Sequence, residues 1–154
     1  MKLWTGRLSG NLDAYADKFN SSIQVDQRMV EEDIAGSIAN VTMLGDQGVL
    51  SQADVHQIIS GLEDIQADLA NGSLLIDNSA EDIHTFIEYE LTKRIGDAGK
   101  RMHTARSRND QVVTDFRLNL RKEVDEILGL LDAYTEALCH LAEDHTHTLM
   151  PGYT

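Results

Sequence analysis

Proline is almost missing from this 154-residue chain: the single one, Pro151, stands near its end. Nothing upstream removes a helical hydrogen bond, and Ala, Leu, Ile, Glu and Asp are plentiful, so the expected fold is all-α. Cysteine is limited to Cys139, which excludes an internal disulfide and fits a reducing compartment, the cytoplasm. Aromatic residues make up only 5% of the chain, so aliphatic side chains must build the core. Cations are scarce as well: 13 Lys and Arg face 26 Asp and Glu, a formal net charge of −13. So acidic a chain repels nucleic-acid backbone and anionic membrane, and neither is an expected partner. No stretch reaches the roughly 20 apolar residues of a membrane span. The opening Met1-Lys2-Leu3-Trp4-Thr5-Gly6-Arg7 lacks the apolar run of a signal peptide. Glycine-rich phosphate loops, a nucleophile elbow and an HExxH pair are all missing too.

What is present is helical periodicity. Residues 1 to about 25 are punctuated by Gly and Ser and show only weak periodicity. From Asp26 to Leu44, the residues Val30, Ile34, Ile38, Val41 and Leu44 recur at steps of three and four, one apolar face of a helix. Ser51 is the expected N-cap of a second helix, with Asp54 completing a capping box. Val55, Ile58, Leu62, Ile65 and Leu69 line that helix and Gly72 ends it, so the two read as an antiparallel hairpin. A third helix is expected from Ser79, with Glu81 and Asp82 in its first turn and Ile83, Ile87, Leu91 and Ile95 on its inner face.

The longest pattern comes last. Nine apolar positions from Val113 to Leu141 span 28 residues in eight steps, a mean spacing of 3.5. That is the period of a left-handed helical bundle. A helix of about 35 to 40 residues cannot cover its own apolar stripe and needs other long helices beside it. The expected organisation is a small helical domain over residues 1–106, followed from 107 by the first helix of a bundle domain.

Between the third helix and the long one lies Lys100-Arg101-Met102-His103-Thr104-Ala105-Arg106-Ser107-Arg108-Asn109-Asp110-Gln111. Four cations in a dozen residues of an acidic chain repel each other unless anions lie among them. Arginine forks match carboxylates in bidentate geometry, and backbone N–H groups at a helix start favour an anion. The segment is therefore a candidate lining for a small polycarboxylate site; the alternative is a solvated basic loop, with Ser107 or Asn109 as a helix cap. Asp82 and His84, in Glu81-Asp82-Ile83-His84, form a second candidate group, and a charge-favoured helix N-terminus is the simpler reading. Ser22, in Phe19-Asn20-Ser21-Ser22-Ile23, is by itself a turn or cap serine. His140, His145 and His147 near Glu143 and Asp144 have helical spacing that arises by chance in such helices, and no metal site is expected there.

Six segments together resemble the argininosuccinate lyase family of the fumarase/aspartase superfamily. They are Leu3-Trp4-Thr5-Gly6-Arg7, Phe19-Asn20-Ser21-Ser22-Ile23, Asp33-Ile34-Ala35-Gly36-Ser37, Glu81-Asp82-Ile83-His84, the run His103 to Gln111, and Met150-Pro151-Gly152-Tyr153-Thr154. The resemblance implies reversible β-elimination of argininosuccinate to arginine and fumarate, with no metal or organic cofactor, in a homotetramer whose core is a bundle of long helices. It implies substrate contacts from Ser22, Asn109 and Thr154. Asp82 and His84 would stand at the same cleft, and Arg106 and Arg108 would hold carboxylates or orient Asn109. Related lyases of the superfamily, such as adenylosuccinate lyase, aspartase or fumarase, and a non-catalytic crystallin-like protein are the alternatives. Thr5 and Ala105 stand where the family usually has Gly, and Asn40 where His or Tyr is common. If position 105 needs positive φ, alanine there costs about 1 kcal/mol or more.

The resemblance also implies that this chain is roughly the N-terminal third of such an enzyme. The family's catalytic histidine and serine loop would follow Thr154. Purified 1–154 is accordingly expected to release no fumarate from argininosuccinate; turnover above background in an ultraviolet absorbance assay would contradict this.

Overall fold

The computed structural model describes residues 14–153. All regular structure among them is helical: α1 Ala14–Asn20, α2 Ile23–Asp26, α3 Val30–Asp46, α4 Gln52–Asn71, α5 Ile83–Ile95 and α6 Arg108–Asp144. Short 3₁₀ segments, Gln27–Met29 and Gly96–Arg101, lead into α3 and out of α5. No described helix is long and apolar enough to cross a membrane. Residues through Arg117 make one compact unit and those from Leu118 onward a second, so the division falls inside α6.

The first unit is built on α3, α4 and α5. Ile34, Val41 and Leu44 of α3, Ile58, Leu62 and Ile65 of α4, and Ile83, Ile87 and Leu91 of α5 share one buried aliphatic cluster. Val30, Ile38, Leu69 and Ile95 pack at its edge. These are the inner faces that the spacing predicts. The hairpin start is capped as expected, with the Asp54 N–H donating to Ser51 Oγ at 3.1 Å. Gly72 closes α4 at φ +77°, the left-handed conformation that glycine adopts without a Cβ penalty.

Two helix starts differ from the expectation. The first long helix begins at Val30 rather than Asp26, because α2 and a 3₁₀ turn occupy residues 23–29. The third begins at Ile83 rather than Ser79. Asp82 is its N-cap, its carboxylate accepting the Thr85 N–H at 2.6 Å. Upstream, the Ser79 N–H is taken by Asp77 Oδ1 at 2.8 Å, which holds that stretch in a turn.

α6 runs for 37 residues, within the predicted range. Its first two turns bury Gln111 and Asp115 in the first unit. In the second unit, Leu120, Val124, Ile127, Leu131, Tyr134, Leu138 and Leu141 are all exposed. The stripe read from the sequence is therefore present and uncovered.

Before α6 the chain turns sharply at Ala105, the one non-glycine with positive φ among the described residues, at +56°. Left-handed backbone costs an L-residue about 1 kcal/mol or more. Ala105→Gly should therefore raise stability by up to about 1 kcal/mol, a Tm gain of roughly 2–4 °C for a chain of this size, readable by calorimetry. A lower Tm would mean that alanine is unstrained there.

Candidate functional site

A carboxylate on the inner face of α3 organises the first unit's polar centre. Asp33 precedes Ile34 and is fully buried. His84, in the first turn of α5, places Nδ1 2.9 Å from Asp33 Oδ1. Gln111 of α6 donates its side-chain amide to the same oxygen. Asp115, one turn further along α6, brings Oδ2 to 3.5 Å from His84 Nδ1. His84, Gln111 and Asp115 are each 1% exposed. α3 and α6 approach closely at Gly36, where a Cβ would lie 3.1 Å from Asp115 Oδ1, a tight contact.

Two carboxylates this close do not both ionise readily. Burial alone would raise Asp33, but the hydrogen bond and charge of His84, with Gln111 and Asp115, bring it below its ordinary value. Burial and the Asp33 charge push Asp115 up to about 7. Burial opposes the charged form of His84, yet the Asp33 hydrogen bond and charge outweigh it and raise the imidazole. Asp33 is thus the anion, Asp115 the proton carrier, and His84 lies between them.

The basic segment divides into two halves. Lys100 pairs with Asp97 at 2.7 Å and Arg101 with Asp54 at 2.6 Å, both exposed contacts of small energetic weight. Arg106 and Arg108 turn inward instead. Arg106 Nη2 donates to Ser37 Oγ at 3.1 Å, and its Nε is buried without a partner. It borders a cavity of about 350 Å³ together with Asn40, Gln111, Thr114 and Asp115. Burial lowers the Arg106 guanidinium, against the attraction of Asp33 and Asp115. Arg108 Nη1 donates to Gln111 Oε1 at 3.3 Å, and Nη2 lies 3.7 Å from Glu88 of α5. Burial raises Glu88, against the pull of Arg108. His103 is lowered by burial and by the charges of Arg108 and Arg106.

Ser22 joins this neighbourhood from α2. Its Oγ donates to Asp26 Oδ2 at 2.6 Å, and Asp26 Oδ1 accepts the Ile83 N–H at 3.1 Å. The Ser22 N–H donates to the Glu81 carbonyl, so Ser22 lies against the strand of residues that leads to Asp82 and His84. Burial raises Asp26, against these hydrogen bonds and the charge of His84. Ser107 Oγ accepts the Asn109 N–H at 3.2 Å at the start of α6, while Asn109 itself is exposed. Thr154 and the segment Leu3 to Arg7 lie outside the described residues.

His84 bonds Asp33, Arg106 is drawn by its charge and Arg108 reaches it through Gln111, whereas Ser22 bonds a second buried acid, Asp26, Asp82 caps α5, and Asn109 is exposed at the start of α6. Asp33, Asp115, Gln111 and Glu88 were not singled out from the sequence as chemistry. An acid beside Ile34 on a core-facing stripe, and a Gln–Asp pair four apart on α6, were the signals available.

Asp33, His84 and Asp115 also form a donor set whose ligand atoms lie within 4.8 Å of one another. Asp33 Oδ2 and both Asp115 oxygens are buried without a hydrogen-bond partner. Asp33 Oδ1 already serves His84 and Gln111, and the Arg106 charge acts on both carboxylates from the cavity side.

The chain matches the family model described as Lyase over residues 6–154. It is 49% identical to the argininosuccinate lyase of Staphylococcus haemolyticus over 153 residues, 99% of this chain and 33% of that protein. It is 51% identical to the argininosuccinate lyase of Moorella thermoacetica over 154 residues, all of this chain and 33% of that one. The argininosuccinate lyase of Desulforamulus reducens is 49% identical over 154 residues, all of this chain and 34% of that protein. The chain thus spans about a third of the length of these relatives.

The proton on Asp115 has a thermodynamic consequence. Its folded value of about 7 stands above the ordinary 3.8, so folding takes up a proton and stability declines as pH rises through that interval. His84, also raised, contributes stability that is complete below 6.5 and fades as pH rises through its folded value. Asp33 acts oppositely: its contribution is present above 3.8 and is lost as pH falls through its lowered value. The Tm of the first unit should therefore fall between about pH 5 and pH 8, and Asp115→Asn, neutral throughout, should flatten that slope. An unchanged slope in Asp115→Asn would place the proton elsewhere.

Proposed function

The chain belongs to the lyase family whose model matches residues 6–154, and from that premise we propose that it forms the N-terminal part of an argininosuccinate lyase. The observation that carries the proposal is identity of 49–51% to argininosuccinate lyases along essentially its whole length. The polar centre supports it with a suitable chemical setting. Reversible elimination of argininosuccinate to arginine and fumarate removes a proton from the carbon beside a carboxylate and builds negative charge there. Preorganised donors and cations stabilise such charge. An acid then assists departure of the guanidino nitrogen.

Within this chain the residues assigned to substrate are Ser22, Asn109 and Thr154, with Arg106 and Arg108 as the source of positive potential. A direct contact from Asn109 is supported by its exposure in the first turn of α6, where N–H groups and the helix dipole favour an anion. Asp82 shapes the cleft as the cap of α5, and His84 acts from behind through Asp33. Residues 1–106 serve as the N-terminal domain, and 107 onward opens the bundle domain. The proton-transfer groups belong to sequence beyond Thr154. The substrate is a small polycarboxylate, no cofactor is assigned, and the working compartment is the cytoplasm. The open stripe on α6 is assigned to a homotetrameric helical bundle, in which other subunits would cover it.

In the full-length protein, Asn109→Ala should lower kcat/KM for argininosuccinate by about 100-fold or more, followed as fumarate absorbance, with helical content unchanged. Unaltered kinetics would remove Asn109 from the site. No fumarate release by the native full-length protein would remove the lyase assignment.

A further inference from the structure

Gln111 is a buried polar residue with no task in the elimination proposed. Both ends of its side-chain amide are engaged. The NH₂ donates to Asp33 Oδ1, and Oε1 accepts from Arg108 Nη1 at 3.3 Å. The orientation has no alternative of comparable energy. A flipped amide would set its oxygen against the Asp33 carboxylate and its NH₂ against a guanidinium that has only donors. Asp33 is itself fixed by His84 across α3 and α5. A rigid path therefore runs from the core to an arginine that keeps 23% of its side chain exposed. The other neighbour of that arginine, Glu88, stands at 3.7 Å, beyond close charge-assisted contact, and burial weakens its ionised form.

We propose that Gln111 is a positioning residue for substrate binding: its amide transmits the fixed orientation of Asp33 to Arg108 and aims that guanidinium at a substrate carboxylate. The inference rests on the lyase assignment and adds to it the means by which one cation is held. A neutral amide suits the task. It supplies a donor to the Asp33 carboxylate and an acceptor to the Arg108 guanidinium without adding charge beside two buried carboxylates. An arginine left to its rotamers would have to be ordered at each binding event, at a cost in affinity. The interaction is present before substrate arrives, so its loss should weaken binding more than it slows chemistry.

The experiment uses the full-length enzyme and argininosuccinate. Gln111→Leu, close in size but without donor or acceptor, should raise KM about tenfold with kcat within about twofold, the scale of one hydrogen bond to a charged group. Arg108→Ala should raise KM as well, and adding Gln111→Leu to it should change KM no further, because the two act as one unit. Gln111→Glu offers a rescue. Its protonated carboxyl has the same donor and acceptor, so its KM relative to native should lie near one at low pH and climb as that carboxyl ionises. The Glu variant carries the test if the Leu variant does not fold. An active native enzyme whose KM is indifferent to Gln111→Leu, or shows effects additive with Arg108→Ala, overturns the positioning role and leaves the lyase assignment standing. A native enzyme that releases no fumarate overturns both.

Discussion

A single buried carboxylate, that of Asp33, sets the terms for the first unit. Removing an ionised group from water is costly unless hydrogen bonds and opposite charge replace the lost hydration. The replacements come from two other helices: an imidazole from α5 and an amide from α6. Each demand constrains the chain elsewhere. α5 must begin at Ile83, capped by Asp82, for His84 to fall in its first turn, and α6 must begin at Arg108 for Gln111 and Asp115 to face inward. A Cβ at Gly36 would press on Asp115 Oδ1. The aliphatic cluster supplies the cohesion of α3, α4 and α5, while the acid sets which residues of α5 and α6 are brought together.

The same acid explains how positive charge accumulates in so acidic a chain. Of the four cations in the basic segment, Lys100 and Arg101 are neutralised locally by surface carboxylates. Arg106 and Arg108 are drawn toward the interior, where Asp33, Asp115 and Glu88 attract them and burial strips their hydration. The left-handed turn at Ala105 delivers the chain into that position. A cation with incomplete pairing beside a cavity is what an incoming anion can exploit, and Arg106, with a buried Nε lacking a partner, has that character.

Much of the helical architecture was legible in the sequence, because aliphatic residues at steps of three and four leave few other ways to be buried. The Ser51 cap, the Gly72 stop and the α6 stripe all stand where the pattern puts them. The start of α5 lies four residues later than the spacing predicts. Several acids and serines from Asp77 to Asp82 compete as caps, and only the geometry around Thr85 selects Asp82. The polar centre was half legible. Arg106, Arg108, His84 and Ser22 stood out through motif resemblance and local charge. Asp33, Asp115 and Gln111 are ordinary helical polars in one dimension and acquire meaning only when three helices meet.

The uncovered stripe of α6 gives the two units different ways of coming apart. From Leu120 to Leu141 the apolar side chains face solvent, so in the isolated chain this stretch is sustained mainly by its own backbone hydrogen bonds. Helices held in that way fray from an end and lose structure gradually on warming, whereas a packed core yields in one cooperative step. Far-ultraviolet ellipticity of the isolated chain would therefore decline along a broad slope with a sharper fall superimposed on it. The slope would report the bare rod and the fall would report the interlocked bundle around Asp33.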